Sequence, residues 1–476
     1  MELLPAEASE EWLSQRLWSL SGNRVLTTDG SGAMREVQGA RRIYRPRSAE
    51  EIASLIRSLP VTTPIACVGG GHESSNAAPF AGDGAVVLDL IHLKSIGFHD
   101  DEEGMLVTVG AGVVFQELVE AVKDRQGALP VGTGPGVGVV GYIVNGGLSG
   151  YFSRRLGLLG QCAVALTMVT ADGDIRVLTA ADELFSAMLG AGSALGVVVD
   201  VTLRMDHEDV VQGAEQRIFA FDTREQAVAF TRGALHFMRD RAMPDDAVSM
   251  ELVVTGTKAL VVTLVFYDSF RDGMAPFVTP LEELAASLNL PIVLSAHWAS
   301  WYDAAAALWP VITEQKGDPL VMMHHCMGTR GAPDDGIIDF VSDTIVAQAP
   351  LDEAALSLVE IRTLGGAALT GPPVPSGNRH HTFFVDLVTL YDANGTTVGE
   401  RRAIADRTDH VIGAAREVDG LTVDFSGTHS QPDDADYRVV AADIFGGADM
   451  ADAVTARKGE VDRHNRFRFH PFARLL

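Results

Sequence analysis

Cysteine is scarce in this chain. Cys67, Cys162 and Cys326 are the only three in 476 residues, and their spacing is unpaired. That excludes a disulfide framework and a cysteine-built zinc site, and a reducing compartment suits the chain. Positive charge is also in short supply: 37 Lys and Arg stand against 63 Asp and Glu, a net charge of -26. Binding to nucleic acid or to an anionic membrane surface is therefore not expected. No apolar run reaches about 18 residues, so no membrane-spanning helix is expected. The opening MELLPAEASEEWL has neither a basic n-region nor an apolar h-region, so no signal peptide is expected and the cytoplasm is the simplest address. Internal repeats and low-complexity tracts are missing too.

What is present is a soluble globular composition, 47% apolar and 21% charged, in a chain too long for one ordinary core. Two domains are the expectation. RRIYRPRSAEEIASLIR (41–57) reads as a short strand, a proline stop and a helix, with Ser48 and Glu51 in a capping-box pattern. GAVVLDL (84–90) and GMLVTVGAG (104–112) read as buried strands. VFQELVEAVKD follows as a helix with Phe115, Leu118, Val119 and Val122 on one side. Residues 162–178 read as two strands joined at Asp172-Gly173, and 195–205 as a further strand. After about residue 206 the texture changes to longer alternating strands separated by long amphipathic helices. This predicts a sheet with helices on one face and a second face left free.

Three segments carry chemistry. VGGGHES (68–74) places Gly69, Gly70 and Gly71 directly before His72. Successive glycines let backbone amides approach a ligand, so this run can cradle a pyrophosphate; it can equally be a glycine turn with a surface histidine. GTGPGVGVVGYIVNGGLSGYFSRRLGL (132–158) holds nine glycines in 27 residues. That density predicts backbone lying flat against something large and planar rather than a packed helix, and long irregular segments inside a domain are usually functional. DELFSAMLGAGSALGVVVDVTLRM (182–205) repeats the theme with a helix, a glycine-rich turn and a strand.

With RIYRPRSAEEIASLIR, VTADGDIRVL, LVEIRTLGGA, RHHTFFVDLVTLY and the tail KGEVDRHNRFRF in the same order, the chain resembles the vanillyl-alcohol oxidase / p-cresol methylhydroxylase flavoproteins, and among them the berberine-bridge-enzyme-like oxidoreductases. The resemblance implies an α+β, two-domain fold of the FAD-binding PCMH type, with an antiparallel-sheet substrate domain flanked by helices. Residues 1–206 are expected to bind FAD, 207–429 to form the substrate domain, and 430–476 to return to the FAD domain. It implies cofactor contacts from Gly69, Gly70, Gly71, His72, Glu73, Ser74, Thr133, Val137, Gly138, Gly141, Gly146, Gly147, Gly157, Val198 and Asn465. It implies a covalent bond from His72 to the flavin, the alternative being noncovalent packing on the ring. Gly134 stands where many members have a second, cysteinyl tether, so a single attachment is expected. Val137, at the position governing dioxygen access, favours an oxidase.

On the catalytic side, RHHTFFVDLVTLY alternates as a strand does. Phe383, Val385 and Leu387 are predicted to lie under the helices, with His380, Thr382, Phe384 and Asp386 on the other face. Asp386, matched to a Glu or Gln of the family, is a general-base candidate or a solvated edge carboxylate. Glu360 is a second candidate, or an ion-pair partner of Arg362 or Arg379. His380 is the third residue placed on that face. MMHHCMG (322–328) is read as a strand with one histidine lining the pocket and the other packed, and no metal site is expected. In the tail Lys458, Asp462, Asn465 and Phe467 match the family, but its catalytic tyrosine is absent. The resemblance therefore implies an FAD-dependent oxidase acting on an alcohol, amine or activated C–H carbon of a small, specialised substrate, with O2 as acceptor. Its rivals are a dehydrogenase with another acceptor and a redox-neutral or cyclising flavoprotein.

Overall fold

The computed structural model describes residues 1–4, 16, 20–21, 42–72, 85–148, 152–211, 213–244, 247–256, 260–268, 273–307, 320–351, 357–392, 395–426 and 437–468. Three sheets organise them into an α+β, two-domain fold.

The first sheet has the order Glu2–Leu3, Ile43–Arg45, Val86–Asp89, Ile65–Val68; the last three strands run parallel. All four residues of Val86–Asp89 are buried, as a parallel strand covered on both faces requires. Helix Ala49–Ser58 lays Ile52, Ala53, Leu55 and Ile56 on this core. Ser48 caps it by accepting from the Glu51 amide at 3.3 Å. The Glu51 carboxylate completes a different set of contacts, with the Arg47 amide and the N-terminal ammonium.

The second sheet is antiparallel: Ile175–Thr179, Ala163–Val169, Val197–His207, Gly104–Gly110, Ile96–Asp101, with Gly127–Ala128 added to Val197–His207. Helix Phe115–Lys123 buries Phe115, Leu118, Val119 and Val122, the face its periodicity predicts. One apolar core joins both sheets.

The third sheet has nine strands, in the order Ile292–Trp298, Gly213–Phe221, Leu260–Asp268, Val248–Thr255, Leu358–Thr363, Phe383–Asp392, Leu320–Thr329, Thr422–Val423, with Leu20–Ser21 paired to Leu320–Thr329. Helices Arg224–Phe237, Ala275–Ser287, Asp335–Phe340 and Val398–Arg416 cover one face. Phe383, Val385, Leu387, Met327, Ile361 and Leu252 point into that layer. The opposite face turns toward the glycine-rich segment, where Leu148 packs with Cys326, Leu364, Phe384 and Phe425.

Helix Ala448–Val461 packs on helix Glu183–Leu195. Lys458 is buried and its ammonium donates to Ala194 O (2.6 Å), Asp462 Oδ2 (2.7 Å) and Phe467 O (3.2 Å). Asp462 in turn accepts from the Arg466 and Phe467 amides. Removing one member of a buried pair strands the other, at a cost of about 3–5 kcal/mol. Lys458→Met should lower the unfolding free energy by that order, read by denaturant titration; an unchanged midpoint would refute the stitch. No helix among the described residues is long and apolar enough to cross a membrane.

Candidate active site

The glycine run leaves the C-terminal end of the parallel strand Ile65–Val68. The buried carboxylate of Asp89 holds Arg16 (2.9 Å) and Arg45 (3.0 Å), and Arg16 also donates to Gly69 O at 2.5 Å. The first glycine is thereby fixed by a charged clamp. A side chain at Gly70 has no room: its Cβ would stand 2.2 Å from Gly138 N and 2.7 Å from Gly136 O. The two glycine segments therefore meet backbone against backbone. Gly71 turns the chain at φ 79°, and His72 follows, with Nε2 3.3 Å from where a Cβ on Gly136 would lie.

Within the second segment the structure departs from expectation. Val139–Val144 is a short helix with Gly138 at its N-cap, so part of the glycine-rich stretch does coil. Val139, Val140, Ile143 and Val144 supply enough apolar surface to bury it. Gly141 on that helix faces open space. Thr133 and Val137 are half-buried beside it. Gly146 turns at φ 83°, and its carbonyl accepts from Ser376 Oγ at 2.8 Å. A Cβ on Gly147 would strike the Tyr142 ring. Gly157 turns at φ 83° against Gln161. Val198 is buried in its strand opposite Met168. Asn465 is exposed in a left-handed turn, φ 46°. Glu73 and Ser74 lie outside the described residues.

Across from these segments the sheet brings together groups far apart in sequence. Register sets Glu251 beside Arg362 and Arg362 beside Phe384; in the next row it sets Glu360 beside Asp386 and Asp386 beside Cys326. His324 Nε2 lies 2.8 Å from the Asp386 carboxylate. Arg362 pairs with Glu360 and with Glu251, the latter at 3.4 Å. Asp386 is 1% exposed. Burial pushes its carboxyl above the ordinary range, with His324 pulling it part of the way back. Burial likewise raises Glu251. At Glu360 burial acts the same way, but Arg362, a hydrogen bond with Glu251 and the nearby His324 together outweigh it, and the carboxyl is held low. Tyr142, from the glycine-segment helix, is buried, and Arg362 and Glu360 lie near enough to bear on its acidity.

Asp386 and Glu360 thus stand side by side, Glu360 already engaged by Arg362. His380 does not join them. Its stretch is the 3-10 turn Gly377–His380, capped by Ser376, and the strand begins only at Phe383. The His380 ring rests against Gly446 instead. Of the paired histidines, His324 faces the site, while His325 lies on the helix side with Asp424 at 3.1 Å. The Glu360–Arg362 pair is one of the two roles that the sequence left open for Glu360, while Glu251 and Tyr142 escaped the sequence reading. The motif signals covered single strands, whereas these residues meet through long-range register.

Residues 40–179 match the model of the FAD binding domain family. The chain carries an FAD-binding domain. The residues of this flavin domain fit the cofactor, since the Gly70–Gly138 approach makes a side-chain-free cradle and the Gly141 face is open. The (R)-6-hydroxynicotine oxidase of Paenarthrobacter nicotinovorans is 32% identical over 197 residues, 39% of this chain and 42% of that protein. The chain therefore matches less than half the length of that curated relative. The whole fold is shared with solved flavoproteins. A variant of berberine bridge enzyme superposes with TM-score 0.76 at 15% identity, covering 98% of this chain and 95% of that one. The glucooligosaccharide oxidase of Acremonium strictum, whose FAD is described as 6-S-cysteinyl and 8α-N1-histidyl, gives TM-score 0.72 at 16% identity over 89% and 90%.

Proposed function

We propose that the protein is an FAD-dependent oxidase of small organic molecules. It removes a hydride and a proton from an alcohol, amine or activated C–H carbon, passes the electrons to dioxygen and yields hydrogen peroxide. The observation that carries this reading is the buried Asp386–His324 pair on the sheet face opposite the glycine segments. Bound FAD supplies the hydride acceptor. The chain supplies the rest: Asp386 accepts the proton, His324 orients and shares it, and Arg362 holds Glu360 ionised beside them. The pair lies in a dry setting, where a carboxylate is a stronger base than in water. In this reading residues 1–206 and 430–476 hold the cofactor and 207–429 the substrate.

His72 is the proposed single point of covalent attachment, through the flavin 8α carbon. Its place at the end of the glycine turn, ring against Gly136, supports this. Gly134 bears no thiol, and burial pushes the Cys67 and Cys162 thiols up to about 12, leaving them inert. In acid-precipitated wild-type protein the yellow colour should stay with the pellet, at an intact mass one FAD above the chain. His72→Ala should release the flavin to the supernatant. Flavin released equally from both proteins would reduce His72 to a contact.

Anaerobic bleaching by substrate, followed by recolouring and peroxide on admitting air, is the expected result for the oxidase. A flavin that stays bleached in air would make the protein a dehydrogenase. A product of unchanged mass would make it a redox-neutral catalyst.

A further inference from the structure

The flavin-facing side of the nine-stranded sheet is unbalanced in charge. Glu251, Glu360 and Asp386 put three carboxyls on one patch, against one guanidinium, Arg362, and one imidazole, His324. Arg362 is committed to both Glu360 and Glu251, so an arriving anion would have to displace a carboxylate from it. Glu251 is 3% exposed, and its carboxyl shares a hydrogen bond with the Glu360 carboxyl besides its contact with Arg362. The buried hydroxyl of Tyr142, from the facing helix Val139–Val144, takes the Leu148 backbone as a partner and lies within electrostatic reach of Arg362 and Glu360. Two buried carboxyls in hydrogen-bond contact hold between them a proton whose place a cation can take.

We propose that the site selects substrates that enter as protonated amines, with the ammonium seated between Glu251, Glu360 and the Tyr142 hydroxyl. This rests on the oxidoreductase reading and names its substrate class. An ammonium offers donors only, which suits two carboxylates and a phenolic oxygen. The Phe384 ring, beside Arg362 on the same face, adds an aromatic wall that suits a cation or an apolar substituent. A neutral alcohol gains nothing from the surplus carboxyl, and a carboxylate substrate meets an Arg362 already committed to Glu360 and Glu251. The surplus also has a thermodynamic signature. Burial keeps a proton on Glu251 in the absence of a counter-charge, so an entering cation expels that proton and binding is linked to its release. The groups facing Glu251 in this exchange are Glu360 and Arg362. The amine's own proton has a separate acceptor in the Asp386–His324 pair.

The test is calorimetric titration of the flavin-loaded protein with three probes that share one ring: benzylamine, benzyl alcohol and benzoate. At neutral pH benzylamine should bind about tenfold tighter than benzyl alcohol or better, with benzoate weakest. Heats in two buffers of different ionisation enthalpy should report proton release with benzylamine alone. Glu251→Gln should remove most of the benzylamine preference and the released proton, while benzyl alcohol still binds as in wild type and so certifies the fold. Benzyl alcohol or benzoate binding as tightly as benzylamine overturns the proposal, as does absence of any benzylamine heat. Protein that takes up no flavin at all would instead sink the oxidoreductase reading on which it stands.

Discussion

The Asp386→Asn variant should have its flavin reduced by substrate about 10²–10⁴-fold more slowly than wild type, the usual worth of a positioned base. Its flavin content should be unchanged. The substitution keeps the shape and keeps a partner for His324 Nε2, now 2.8 Å from the carboxylate, so only proton acceptance is lost. The pH profile gives an independent check. Because burial raises the Asp386 carboxyl, the acid limb of the wild-type rate should fall at a pH above the ordinary carboxylate range. Asp386→Asn should lack that limb. Stability should move the other way. A carboxyl whose folded pKa is raised holds its proton more tightly when folded, so its contribution is favourable at low pH and is lost as pH rises through the folded value. At neutral pH asparagine removes that loss, and the variant should melt no lower than wild type. A variant that is both inactive and markedly unstable would mean Asp386 is a structural residue.

Arg154→Met should cost the fold several kcal/mol, because three carbonyls lose hydrogen bonds to a buried charged donor worth about 1.5–3 kcal/mol each. Arg154 is 3% exposed. Its guanidinium donates to three carbonyls at one end of the nine-stranded sheet: Ala242 (2.9 Å), Val248 (2.7 Å) and Met243 (2.7 Å). Gly366 crosses so close to it that a Cβ there would lie 2.1 Å from Arg154 O. Val248 and Gly366 lie at the same end of two paired strands, so Arg154 ties helix Ser153–Leu156 to that end of the sheet. Val248 opens the strand that carries Glu251, so activity should fall along with stability. Arg154→Lys should not rescue, because a single ammonium lacks the planar fork that reaches all three oxygens. Unfolding in denaturant, followed by flavin fluorescence, measures the loss. A shift below about 1 kcal/mol, the scale of an exposed pair, would refute the grip.

Legibility in the sequence followed the range of the forces involved. Helix Phe115–Lys123 and the Ser48 cap depend on neighbours within four residues, and both were readable. So was the alternation that sends Phe383, Val385 and Leu387 under the helices and turns Asp386 the other way, because a period of two needs no partner strand. The FAD cradle was readable as glycine density, but not the helix Val139–Val144 inside it, whose apolar residues outweigh Gly141. His380 was misplaced because the side chain of Ser376 caps a turn three residues before the strand begins. The Glu360–Arg362 pair, within one strand, was an open alternative, but its extension to Glu251 and the His324–Asp386 pair were invisible. They depend on which strands become neighbours, and the antiparallel order places 248–255, 358–363, 383–392 and 320–329 side by side out of chain order.

The Lys458 stitch has a consequence for how the protein is made. Its carbonyl partner, Ala194, precedes it by 264 residues. At a synthesis rate of about 5–20 residues per second, the helix carrying Ala194 leaves the ribosome roughly 13–50 s before the lysine that locks it. Throughout that interval the nascent domain has its glycine turns but not its fastening. Secure capture of the dinucleotide therefore belongs to the end of translation, and truncated chains ending before residue 458 should emerge colourless.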